Sequence, residues 1–106
     1  MKHVKLHPVR REYRVNDQVT IDLAGVELDD NSTVEMWMAF RTRPGAPVQK
    51  LPLLSNTHWS TIAGTNLTFR PTNPGLYTLV LVGLFTSASS PTSVGVTYRG
   101  VTFRAF

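Results

Sequence analysis

The sequence predicts an all-β domain, an antiparallel β-sandwich of about seven or eight short strands. Three observations carry this. Apolar and polar residues alternate with period two in several short segments. Seven Gly and seven Pro break up the 106 residues, leaving runs of the length that short strands need. No segment keeps a helical period over about 10 residues or more, which excludes a TIM barrel or a doubly wound sheet.

Taken in order, residues 1–14 form a basic N-terminal arm or first strand, and residues 15–106 a single sandwich domain. The arm carries Pro8 and little apolar pattern beyond Val4, Leu6 and Val9. It either pairs as the first strand or reaches onto a neighbour. Val19, Ile21 and Leu23 alternate with Gln18, Thr20 and Asp22, a half-buried strand. Gly25 and Asp29-Asp30-Asn31-Ser32 mark a loop. Val34, Met36, Met38 and Phe40 then make one apolar face, with Glu35, Trp37 and Arg41 on the other. Arg43-Pro44-Gly45-Ala46-Pro47 is a break, and Pro52 makes residues 48–54 an edge strand or extended loop.

Residues 57–62 read as a short strand closed by Ala63-Gly64, and Leu67 and Phe69 face inward on the next. Pro71-Thr72-Asn73-Pro74-Gly75 is a turn. Residues 76–82 are apolar on both faces, so a central, doubly covered strand is expected. Ser87-Ala88-Ser89-Ser90-Pro91 is expected to be a mobile loop. In the last segment Val94, Val96 and Tyr98 take even positions and Val101, Phe103 and Ala105 odd ones. A β-bulge at Arg99-Gly100 produces that flip, and a strand that switches faces or sheets follows.

Charge is sparse, 17% of residues, but sorted along the chain. Residues 1–14 sum to +4, residues 15–35 to −6 with no base, and residues 36–106 to +6 with no acid. Either strand pairing interleaves these blocks on one surface, or a basic patch faces a polyanion or the acidic patch of a neighbouring copy. The bases are scattered and no RNP-like run accompanies them, so nucleic acid is not the expected partner. There is no apolar run of transmembrane length, hence no expected membrane insertion. The basic start lacks the apolar core of a signal peptide, so the expectation is a protein made without classical secretion or a fragment. Without cysteine there is no disulfide and no thiolate chemistry.

The run Asn66-Leu67-Thr68-Phe69-Arg70-Pro71, followed by Asn73-Pro74-Gly75-Leu76-Tyr77-Thr78-Leu79-Val80-Leu81, resembles the E–F corner of immunoglobulin-like sandwiches. There a Gly-x-Tyr-x-apolar run opens the penultimate strand, and the Tyr hydroxyl ties back to the preceding loop. The resemblance makes Tyr77 the corner tyrosine, Leu79 a core residue, Val19-Thr20-Ile21 strand B and Trp37 part of strand C. The missing B–F cysteines point away from antibody-type domains. The same run is similar to surface-projecting sandwich domains of small icosahedral plant viruses, and to bacterial and phage surface sandwiches of the polycystic-kidney-disease-repeat kind. The resemblance implies an immunoglobulin-like or jelly-roll-like sandwich acting as a virion-surface or extracellular binding module.

Motifs for chemistry are weak. His3 and His7 need a third ligand to hold a metal. Glu27 with Asp29-Asp30-Asn31 lacks the regular calcium-loop spacing and reads as a polar turn. Ser55, Ser60 and His58 have no Gly-x-Ser-x-Gly elbow, and no acid follows Glu35. Asn31-Ser32-Thr33 and Asn66-Leu67-Thr68 fit the glycosylation pattern. No catalytic, metal or cofactor residue is therefore assigned.

The candidate interface residues are Arg10, Arg11, Arg14, Trp37, Trp59, Leu76, Val80, Val82 and Phe106. Trp and Arg dominate protein–protein hot spots. Trp37 and Trp59 either stand exposed as anchors or cap the ends of the core. Leu76, Val80 and Val82 give their strand a second apolar face that a neighbouring copy is the simplest candidate to cover. The expected function is that of a non-enzymatic, self-associating virion component, a capsid-decorating or protruding sandwich that binds neighbouring shell subunits. The alternative is an adhesion or carbohydrate-binding module whose Trp37 and Trp59 stack on sugars.

Overall fold

Alternation decides the larger sheet. The structure, a computed structural model, describes residues 2–3, 5–7, 10–87 and 90–106, with side chains at 10–85, 95–100 and 102–106. Its strands are β1 (Lys2–His3), β2 (Lys5–His7), β3 (Glu12–Tyr13), β4 (Val19–Asp22), β5 (Thr33–Arg41) and β6 (Gln49–His58). A helical turn, α1 (Trp59–Ile62), precedes β7 (Asn66–Phe69), β8 (Gly75–Ser87) and β9 (Ser90–Ala105). One sheet has the order β1-β9-β8-β5-β6, with β3 also on β9, and the other the order β2-β4-β7.

The two inner faces meet in one core. Val19 and Ile21 of β4 share it with Val34, Met36, Met38 and Phe40 of β5, Tyr77, Leu79 and Leu81 of β8, and Tyr98 and Phe103 of β9. Every even position of β5 expected inside is inside. The fold is the expected antiparallel β-sandwich. Its strand order sets β4 and β7 in one sheet and β5, β8 and β9 in the other.

The N-terminal strands pair within their own chain. β1 runs parallel to β9 at Tyr98 and Arg99, β2 antiparallel to β4, and β3 returns parallel to β9 at Arg104 and Ala105.

A tyrosine and a glycine shape the entry to β8. The Tyr77 hydroxyl donates to the Asn73 carbonyl at 2.6 Å, and its ring stacks on Phe103 at 5.3 Å. Gly75 lets the chain enter β8 at φ 152°; a Cβ there would sit 2.6 Å from the Arg41 carbonyl oxygen and from the Phe40 ring.

The bulge falls where the parity flips. Thr78 pairs Thr102 and Val80 pairs Arg99, so Gly100 and Val101 together oppose Leu79. β9 nevertheless stays on β8 from end to end, which corrects the expected switch of sheets. The extra residue returns both Tyr98 and Phe103 to the core side.

Residues 57–62 are not a separate strand. Thr57 and His58 end β6, an edge strand carried through Pro52 and paired only with β5. The chain then turns as α1, because Trp59 is drawn into the core at 3% exposure. The Trp59 amide bonds the carbonyl of buried Ser32 at 2.9 Å, and the Thr61 hydroxyl bonds the His58 carbonyl at 2.7 Å.

Of the expected mobile loop, Ser87 ends β8, Ser90 and Pro91 open β9, and Ser87 pairs with Ser90; Ala88 and Ser89 lie outside the described residues. Among the described residues no helix is long and apolar enough to cross a membrane.

Candidate functional site

The outer face of the larger sheet gathers most of the candidate interface. Residues whose parity opposes the core point outward: Glu35, Trp37, Ala39 and Arg41 on β5, and Leu76, Thr78, Val80 and Val82 on β8. Register sets them in rows across the sheet. Arg41 lies beside Leu76, which lies beside Arg104. Lys50, Ala39, Thr78 and Thr102 make the next row, where the two threonine hydroxyls meet at 2.7 Å. Pro52, Trp37, Val80 and Arg99 make the third.

The centre of this face is covered from within. Val80 is 4% exposed in the single chain, seated in register between Trp37 and Arg99. Long side chains lie over apolar surface while keeping their charged ends wet. The expectation that a second layer or a neighbouring copy must cover this strand is therefore corrected at Val80. Leu76 and Val82 stay half-buried and Leu84 is exposed, so an apolar stripe flanks that sealed centre.

Trp37 is half-buried on this face, with the Lys50 ammonium 3.9 Å from the centre of its ring. Trp59 is in the core, so of its two expected roles it has the capping one and offers no exposed stacking surface. A hollow of about 520 Å³ opens beside the stripe, lined by Arg41, Pro44, Leu76, Arg99 and Thr102 among others. Four bases, Arg41, Lys50, Arg99 and Arg104, thus frame apolar ground, a composition suited to an acidic protein surface with apolar anchors.

The remaining candidates sit at one end of the sandwich. Arg10, Arg11 and Arg14 are exposed; the Arg10 guanidinium lies 4.4 Å over the Tyr13 ring, and the Arg11 carbonyl accepts the Arg104 amide at 2.8 Å. Phe106 is 53% exposed beneath the Arg104 guanidinium at 6.0 Å. Strand pairing mixes the charge blocks in part: Lys5 of β2 pairs with Asp22 of β4, and Glu12 of β3 with Arg104 of β9. The acids of residues 23–32 collect at the other end, where the Tyr98 hydroxyl donates to the Glu27 carbonyl at 2.8 Å and accepts its amide at 3.1 Å.

Among the described residues no group of three or more His, Asp and Glu side chains could hold a metal ion. The His3 and His7 side chains lie outside the described residues. Ser55 and His58 are exposed on β6 and Ser60 on α1.

Sequence reasoning named Trp37, Leu76, Val80 and Val82 but missed Arg41, Lys50, Arg99 and Arg104 as their companions. Arg41 shares the parity of Trp37 and was legible; Lys50, Arg99 and Arg104 join the face only through register across strands, which the bulges shift. No protein-family model matches the sequence, and no curated protein or solved structure shows significant similarity to it.

Proposed function

We propose that the chain is a non-enzymatic structural module of a virion surface, a capsid-decorating or protruding sandwich that binds neighbouring shell subunits or copies of itself through the outer face of its larger sheet. The observation that carries this reading is the outward stripe: half-buried Leu76, Trp37 and Val82, framed by Arg41, Lys50, Arg99 and Arg104. Aromatic and arginine side chains around a small apolar centre are what protein interfaces concentrate. The placement on a virion comes from the resemblance of the 66–81 run to viral surface sandwiches. The rival adhesion reading keeps only Trp37 as a stacking platform, and Lys50 already occupies a face of that ring.

Sedimentation velocity over a concentration series tests the proposal, with Val82→Lys and Trp37→Ala beside wild type. Both positions point away from the core, so the far-ultraviolet spectrum stays the same while self-association weakens by about tenfold or more. Association by wild type that neither substitution weakens would overturn the assignment of this face.

A further inference from the structure

We infer that the two ends of the sandwich are complementary docking surfaces, and that copies associate head to tail, the basic end of one against the acid-lined hollow of the next. The inference goes beyond the outer sheet face; of the residues proposed there it shares only Leu76 and Arg104.

Strand direction defines the ends. β5 and β9 both run toward the end where residues 42–48 and 70–74 turn the chain, while residues 23–32 lie at the opposite end beside Thr33 and Leu84. The basic end presents Arg14, Arg43, Arg70 and Arg104. Two acids lie among them, Glu12 in register with Arg104 and Asp17, which accepts the Arg14 amide at 2.9 Å, so the arginines of this end are in excess. A hollow of about 360 Å³ opens there, lined by Arg43 and Arg104 over Pro44, Pro74, Leu76 and Phe106.

The opposite end carries a hollow of about 430 Å³, where Glu27 and Asp29 stand over Leu28, Phe85 and Val96. Asp30 is exposed beside them, and residues 15–40 contain no Lys or Arg. The Tyr98 hydroxyl holds the Glu27 backbone from both sides, so the acidic rim is fixed by the core rather than left to a free loop. Each end is therefore a charged rim around an apolar floor, with opposite sign.

Distance decides what can neutralise these ends. Along β8 the basic end at Gly75 and the acidic end at Leu84, beside Thr33, are separated by about 30 Å at about 3.3 Å per residue. The screening length at physiological salt is about 8 Å, so one end does not feel the other within a chain. Glu12 beside Arg104 and Lys5 beside Asp22 offset part of the charge within the chain, and a second copy supplies the countercharge for the excess at each end. Pairing equal ends would bring like charges together, which leaves the heterologous contact, one that repeats into a ring or an open filament.

The test uses charge-neutralising pairs: Glu27→Gln with Asp29→Asn at the acidic end, and Arg43→Gln with Arg104→Gln at the basic end. In sedimentation velocity wild type associates with increasing concentration. Raising NaCl from about 0.1 M to about 1 M, which shortens the screening length from about 10 Å to about 3 Å, weakens that association by about tenfold or more. Each double variant alone is folded by circular dichroism and monomeric. Mixed in equal amounts they form a one-to-one dimer and stop there, because only one intact end of each remains. All these proteins are made in a Val82→Lys background, which removes the sheet-face contact, so wild type here means unaltered ends and failure of this inference is distinguishable from failure of the sheet-face reading. Monomeric wild type at both salts, a variant that self-associates like wild type, or a mixture that stays monomeric overturns it. Loss of association only in the basic-end variant would assign that end to an external polyanion, and also overturns it.

Discussion

Replacing Tyr77 by Phe removes one oxygen and leaves the ring. That ring is 1% exposed and packs on Phe103 at 5.3 Å, Phe40 at 4.8 Å and Phe69 at 5.5 Å; phenylalanine keeps all three contacts. What is lost is the 2.6 Å bond to the Asn73 carbonyl. Asn73 is exposed, so water takes over its carbonyl and no buried acceptor is stranded. The expected cost is then the net value of one hydrogen bond, about 1 kcal/mol. With a urea slope of about 1–3 kcal/mol/M, the unfolding midpoint falls by roughly 0.3–1 M. Tyr77→Ala, which also removes the ring, costs about 3–5 kcal/mol.

The pH dependence gives a second readout. Burial raises the Tyr77 hydroxyl above its ordinary value of 10.0. Above pH 10 the unfolded chain gives up this proton while the native chain keeps it, so the unfolded state binds fewer protons. Stability must then fall as pH rises from 10 through the raised native value. Tyr77→Phe removes this share of the decline, leaving a shallower slope of urea midpoint against pH. A substituted protein with the wild-type midpoint and the wild-type alkaline slope would refute the reasoning, since the bond would then contribute nothing and the hydroxyl would titrate alike in both states.

Further expectations concern local geometry. Gly75→Ala drives a Cβ against the Arg41 backbone and the Phe40 ring at a φ of 152°; a loss of about 2–5 kcal/mol is expected, read as a drop of about 10 °C or more in thermal melting. Gly83→Ala meets only the two Leu28 methyl carbons at 2.9 Å, which can rotate away, so it should cost about 1 kcal/mol; equal melting shifts for the two glycines would contradict this. Tyr98→Phe removes both bonds to Glu27, costs about 1–2 kcal/mol, and speeds hydrogen exchange at the Glu27 amide. Pro52→Thr adds an N–H to edge strand β6, and turbidity on heating should then rise with the urea midpoint little changed.

Much of the fold was legible because one signal recurs in it. Parity alone assigns the buried side of β5, and the parity break between Tyr98 and Phe103 announces the bulge before any pairing is known. The corner was legible from Gly75 and Tyr77, since a left-handed entry and a hydroxyl two residues on are local chemistry. What escaped depended on contacts distant in sequence. Trp59 looks exposed beside His58 and Ser60, yet its burial is decided by the open end of the core and by the Ser32 carbonyl. Val80 looks like half of an uncovered apolar face, but whether a strand's outward valine is wet depends on its cross-strand neighbours. Trp37 reaches that row through the unbroken pairing of β5 with β8, and Arg99 because the bulge opposite Leu79 shifts the register of β9.

The separation of charge along the molecule follows from the same topology. In a sandwich built largely of antiparallel strands, successive connections alternate between the two ends. A chain that places its acids around one connection and its bases around those before and after it therefore sorts them by end, whatever the details of packing. Here the acids of residues 23–32 fall at one end. Arg14 on the preceding turn, Arg43 on the following one and Arg70 before β8 fall at the other. A sequence read as three charge blocks of alternating sign is thus, once folded, an object with two poles. Moving the acids to another connection would reverse or cancel the poles without touching a core residue. The core specifies the sandwich through residues such as Ile21, Met38 and Leu79, and the connections specify which way along its axis it presents itself to a neighbour. Fold and polarity are in this chain separable properties, and Glu27→Gln with Asp29→Asn should change the second while leaving the first intact.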